Sequence, residues 1–145
     1  MLISYLDDEK IQASTDLISV YDSDLVVLKW NQGCENKFGI RAKNAIGRTL
    51  AEIFPTYNLK EDYRYNCLVD AARDGKSFYF PGLPYRYHEG IYYQAIVPLK
   101  ANASTIVGAL NVVRDGVHVT GKVTKRDLLV PIIKTEASAI AHLLK

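Results

Sequence analysis

Cysteine is scarce in this chain. Cys34 and Cys67 are the only two in 145 residues, and they have no C-x-x-C spacing. That excludes a disulfide framework and leaves two buried free thiols in a reducing compartment as the expectation. Histidine is nearly as rare, and His88, His118 and His142 share no spacing suited to a metal site. An excess of one charge is missing too. Lys and Arg number 18 against 16 Asp and Glu, for a net charge of +2. The basic residues are scattered, and the one cluster, Lys122, Lys125 and Arg126, reads as a solvated face, so nucleic acid is not an expected partner. No apolar run approaches the roughly 18 residues of a membrane span. Met1 to Leu6 leads straight into Asp7, Asp8 and Glu9, without a basic n-region or an apolar h-region, so no signal peptide and a cytoplasmic location are expected. G-x-S-x-G, P-loop and H-E-x-x-H patterns are absent, no pair of carboxylates stands in an apolar setting, and the chain is not expected to be an enzyme.

What remains is an ordinary globular balance, 48% apolar and 23% charged residues, at a length that suits one domain with a real core. Residues 1–14 read as a lead helix with Leu2, Leu6 and Ile11 on a loose face. Leu17–Tyr21 and Leu25–Trp30 are β-rich and flank the polar turn at Asp22, Ser23 and Asp24, which predicts a hairpin. Asn31 suits the N-cap of a helix over Gln32–Phe38, and Gly39 is placed to end it. Thr49 and Glu52 have capping-box spacing, and Pro55 stops the short helix they begin. Over Asp62–Arg73 the residues Tyr65, Leu68, Val69 and Ala72 recur at helical spacing and make one buried stripe. Three strands follow, Ser77–Tyr87, Ile91–Leu99 and Ile106–Arg114. Pro81 and Pro84 argue for an edge position in the first, and residues 88–90 are expected to form the turn to the second. On the second, Ile91, Tyr93, Ala95, Val97 and Leu99 share a face.

The order β-β-α-α-α-β-β-β is not the alternation of a parallel sheet. It predicts an α+β fold, one five-stranded antiparallel sheet with short helices packed on one face, and Trp30, Phe38, Ile46, Leu50, Phe54, Leu68, Val97 and Leu110 mostly buried. Residues 124–145 read as an amphipathic tail helix, with Leu129, Ile132, Ile133, Glu136, Ile140, Leu143 and Leu144 along it and Pro131 kinking or starting it. That stripe needs an apolar partner. Either the tail folds back over the sheet's free face, or two chains pair through tails and sheets. A homodimer with the tail and the lead helix at its interface is the expectation, being the commoner arrangement.

From Asp16 to Asp115 the chain resembles the PAS domain family. Residues 16–22 resemble its opening strand, Val27–Asn31 its second strand running into an Asn-capped helix, and Glu35–Gly39 the helix ending in Phe-Gly. Residues 45–55, Ala-Ile-Gly-Arg-Thr-Leu-Ala-Glu-Ile-Phe-Pro, resemble its most specific run, and Ile106–Asp115 its last strand. The family's closing Asp-Ile-Thr reads Asp115, Gly116, Val117 here. The resemblance implies a PAS domain over residues 15–116, flanked by a lead helix over 1–14 and a linker over 117–145 leading to a possible output domain. It also implies a sensory or regulatory module that transmits a signal through dimerisation and its C-terminal helix. A histidine kinase or a transcriptional regulator is the expected context, and an unliganded dimerisation or protein-interaction module is the alternative. Ala139–Leu143 faintly resembles a kinase's phospho-accepting segment, but Leu143 stands where that pattern has Glu.

The family's cofactors can be sought residue by residue. Its haem-binding members place a His on the long helix, and residues 61–74 contain none. Its flavin-binding members carry Asn-Cys-Arg after the short helices, and Val113 stands at the position of their pocket Gln. No cofactor is therefore expected, which leaves open a colourless small molecule or a partner as what the module binds. The family binds ligands between sheet and helices, and on the last strand Val107, Ala109, Asn111 and Val113 share the face of that Gln. Asn111, needing partners for a buried amide, is the leading contact for a ligand, a water or a group within the protein. Tyr57, Tyr63 and Tyr93, each an apolar body with one polar end, and Phe38 complete the candidate ligand-binding set with Val113.

Overall fold

The computed structural model describes residues 5–85, 88–117 and 119–134. Its centre is a five-stranded antiparallel sheet of β1 (Leu17–Asp22), β2 (Val27–Trp30), β3 (Phe78–Tyr85), β4 (His88–Asn102) and β5 (Thr105–Asp115). The strands lie in the order β2-β1-β5-β4-β3. The β1–β2 turn is held by the Asp22 carboxylate, which accepts from the Asp24 and Val26 amides at 2.9 and 3.0 Å. The proline-bearing β3 is an edge strand, and its register slips between Phe80 and Leu83 and again between Pro84 and Tyr85. Here β4 begins at His88, so residues 88–90 belong to the strand and not to the predicted turn.

Between β2 and β3 run four helices where three were predicted: α2 (Gln32–Phe38), α3 (Ala42–Ala45), α4 (Leu50–Ile53) and α5 (Tyr63–Asp74), with a 3-10 turn at Leu59–Glu61 before α5. Asn31 caps α2 through Cys34 N, and Gly39 ends it at φ 68 in the left-handed region that a side chain disfavours. Thr49 and Glu52 form the complete capping box on α4. The extra α3 explains a miss. Ile46 is its C-cap, where the chain turns outward, and is 46% exposed rather than buried.

The sheet is covered on both faces. On one face Trp30, Cys34, Leu50, Leu68, Ile96 and Ala109 pack with the helices. On the other, Ile18, Val20, Val97, Leu99, Leu110 and Val112 pack under the chain's own flanks. The lead helix is shorter than predicted: α1 spans Asp8–Ala13, and Leu6 instead pairs antiparallel with Ile133. Backbone bonds from Asp7 N to Ile132 O (2.9 Å) and from Lys134 N to Tyr5 O (2.7 Å) lock the two flanks together.

The tail departs from one continuous helix. Thr124 and Asp127 form a capping box for α6 (Lys125–Leu129), a 3-10 turn follows over Val130–Ile132, and Ile133 is extended. Pro131 within that turn has no N–H to continue the ladder. Leu128, Leu129, Ile132 and Ile133 are buried against the sheet of the same chain. Of the two outcomes foreseen for the tail, folding back is the one observed, so the stripe through Ile133 needs no second chain. The rest of the predicted stripe, from Glu136 to Leu144, lies outside the described residues, as do His118 and His142.

Candidate functional site

Between the helix face of the sheet and α2, α4 and α5 lies a cavity of about 90 Å³. One wall is aromatic. Trp30 and Phe38 stand 5.5 Å apart between ring centroids, Phe38 meets Phe54 edge-on at 5.2 Å, and Phe54 stacks on Tyr57 at 5.1 Å. Trp30 is held in place by its indole N–H, which donates to Ile40 O at 3.0 Å. Leu17, Leu50, Leu59, Leu68 and Val113 fill in the apolar lining.

The opposite wall is polar and is built across three strands and one helix. Asp62, itself buried, caps α5 by accepting from Arg64 N at 2.9 Å. This sets Arg64 in the first turn, one helical turn before Leu68 and on the same sheet-facing side. Arg64 Nη1 donates to Gln94 Oε1 on β4 at 2.8 Å, and its guanidinium lies 4.8 Å from the Phe80 ring centroid. Gln94 Nε2 donates in turn to Asn111 Oδ1 on β5 at 2.7 Å. Asn111 is paired across the ladder with Ser19 on β1, whose hydroxyl is bonded to Tyr21 OH at 2.8 Å. Burial pushes the Tyr21 hydroxyl pKa well up. It also pushes the Cys34 thiol up to about 12, so this lining cysteine is a neutral thiol that leans on Ile18 O and not a nucleophile.

A family model described as the PAS fold matches residues 11–116. The chain belongs to the PAS family. No curated protein matches its sequence. Solved PAS domains share its fold. The PAS domain of histidine kinase ThkA is 20% identical over 69% of this chain and 98% of that one, with a TM-score of 0.55. The PAS domain from Bordetella pertussis BvgS is 18% identical over 77% and 82%, at 0.58. A sensory box sensor histidine kinase from Vibrio cholerae is 20% identical over 76% and 86%, at 0.54.

In this PAS domain the predicted site residues divide. Asn111, Val113, Tyr57 and Phe38 line the cavity. Tyr93 does not. Its strand face, with Ala95, Val97 and Leu99, is the one covered by the flanks. Tyr63 does not either. It is the first residue of α5, 69% exposed, with its ring edge-on to Phe80 at 5.9 Å outside the cavity. Val107 leaves the pocket face because the β4–β5 register shifts near Lys100 and Ile106, which reverses the alternation, so Val107 packs under the flanks.

Sequence reasoning missed Arg64 and Gln94, the two residues that organise Asn111. Their signals were present. Arg64 is four residues before Leu68 of the buried stripe, and Gln94 alternates with the apolar Ile96 on one strand face. Among the described residues no group of three or more His, Cys, Asp or Glu is placed to hold a metal ion, and no helix is long and apolar enough to cross a membrane.

Proposed function

We propose that this PAS domain is a sensory and regulatory module, not an enzyme, whose ligand is a colourless small molecule held between the sheet and the helices. The observation that carries the reading is the Arg64–Gln94–Asn111 row facing an aromatic wall across a cavity. Apolar walls with a few convergent polar groups are the usual form of a small-molecule site. The reading includes neither haem nor flavin, because α5 carries no His and about 90 Å³ is far too little for either group. It places the domain in the cytoplasm, with a signalling partner or output domain of the histidine-kinase kind and no nucleic-acid role.

The route for the signal in this proposal is β5. Asn111 and Val113 face the cavity, and the next residue, Arg114, binds both carboxylate oxygens of Asp16 at 2.8 to 3.2 Å and reaches Asp127 O of α6 at 3.5 Å. A ligand that shifts the end of β5 would bias the seating of the tail. The test is thermal unfolding of the full chain against a panel of small acids, amines, alcohols and heterocycles at millimolar concentration. A saturable rise in midpoint that Asn111→Leu abolishes supports the reading, and no rise with any of them counts against it.

A second reading is favoured by the cavity's size, which is below the roughly 300 Å³ at the lower end of ligand pockets. It makes the domain an unliganded dimerisation or interaction module. Sedimentation of the full chain separates the two: a dimer that no small molecule perturbs points to the second reading.

A further inference from the structure

This inference rests on the ligand-binding reading above and names the class of ligand. The polar row has a direction. A guanidinium only donates, so the Gln94 atom 2.8 Å from Arg64 Nη1 is an oxygen. Gln94 therefore turns its amide nitrogen the other way, and Nε2 donates to Asn111 at 2.7 Å, which makes the facing Asn111 atom Oδ1. Asn111 Nδ2 is left as a donor with two hydrogens and no hydrogen-bond partner among the described residues. Its cross-strand neighbour Ser19 shares a hydroxyl–hydroxyl bond with Tyr21. Whichever hydroxyl donates to the other, one hydrogen remains to be given away. The row thus begins at a cation and ends in donors, and no Asp or Glu lines the cavity.

We infer that the cavity takes a small monocarboxylate, with its oxygens on Asn111 Nδ2 and the Ser19–Tyr21 hydroxyl pair and its alkyl portion against Trp30, Phe38 and Phe54. Charge-assisted bonds from fixed donors are about twice as strong as neutral ones. A neutral amide loses that charge assistance and puts an NH2 in place of one accepting oxygen, a donor facing Asn111 Nδ2. The space suits on the order of six heavy atoms, which is the size of a four-carbon acid.

The experiment is isothermal titration of the full chain with acetate, propionate, butyrate and valerate, with butyramide as the neutral control, all at constant ionic strength. The expected result is saturable binding strongest for butyrate or valerate and at least tenfold weaker for butyramide. Asn111→Asp, which replaces the donor with a like charge, should abolish it. Should that variant not fold, the wild-type Asn111 side-chain amide resonances must shift with butyrate in a nitrogen-15 spectrum. Butyramide binding as tightly as butyrate, or no acid binding at all, overturns the inference. Neutral compounds binding where acids fail would sink the ligand class and leave the ligand-binding reading standing. Acids and neutral compounds all failing would count against both.

Discussion

Replacing Asn31 with Ala should be the most damaging single truncation outside the aromatic core. The side chain is 1% exposed and ties three segments together. Its oxygen accepts from Ile18 N on β1 and Cys34 N on α2, both at 3.0 Å. Its nitrogen donates to Ile11 O at 2.8 Å, Asp16 O at 2.9 Å and Ser14 O at 3.3 Å. Truncation strands two buried amides, each costing about 1–3 kcal/mol, and takes one partner from three carbonyls, which suffer less. The sum is about 3–5 kcal/mol, against a total stability of about 5–15 kcal/mol for a domain. Urea unfolding of the full chain measures it, and the midpoint should fall with the slope unchanged. Asn31→Asp sharpens the argument. It keeps the oxygen that accepts both bonds but turns a negative charge toward three carbonyls, so it should lose at least as much. A cost below about 1 kcal/mol for Asn31→Ala, or a neutral Asn31→Asp, would refute the reasoning, since either would mean these bonds are replaced by water at no loss.

Gly33→Ala should also destabilise strongly, because a Cβ there would lie 2.3 Å from Asp16 O, a backbone atom that cannot swing away; a loss of less than about 1 kcal/mol in the same unfolding assay would contradict this. Cys34 makes stability depend on alkaline pH. Its folded pKa, about 12, is raised above an ordinary thiol value of 9.0, so its contribution is complete below that value and is lost as pH rises toward the folded one. Between pH 8 and 10.5 the wild type should therefore lose about 2 kcal/mol more than Cys34→Ala, and equal losses would argue against a buried neutral thiol. Ending the chain at residue 116 removes Leu128, Leu129, Ile132 and Ile133 from the sheet, each worth about 1.5–3 kcal/mol when buried. The shortened chain should unfold more readily and associate more than the full chain in sedimentation, and an equally stable monomer would show that the tail contributes little.

Much of this architecture was legible because local rules and tertiary packing agree. Asn31, Gly39, Thr49 and Glu52 are capping residues whose chemistry fixes helix ends before any tertiary contact forms. Asn111 and Val113 were placed by strand alternation anchored on the resemblance, which sets Val113 at the position of the pocket Gln of flavin-binding members. Alternation groups Tyr93 with Ala95, Val97 and Leu99 without saying which face meets the helices, and its chemistry alone, an apolar body with one polar end, put it in the candidate set. Alternation also fails across a bulge, which is what moved Val107. The tail was misread because the spacing of Leu129, Ile132 and Ile133 fits a helix. Pro131 and the pairing of Ile133 with Leu6 are what break it, and that pairing joins residues at opposite ends of the chain. Arg64 is not legible as a site residue because a charge on a helix is ordinarily solvated. Only the bond to Gln94 and the caps at Asp62 make its burial legible.

Trp30 is the one tryptophan in the chain and lines the cavity, so its emission reports directly on whether a small molecule enters there. The decisive measurement is a titration of the full chain with the compounds that raise its unfolding midpoint, following Trp30 fluorescence in the wild type and in Asn111→Leu side by side. The account predicts a saturable change in the wild type, with a midpoint matching the calorimetric affinity, and its loss in the variant. Compounds that stabilise the protein while leaving Trp30 emission unchanged, or that act equally on the variant, would contradict it by placing the ligand somewhere other than between the sheet and the helices.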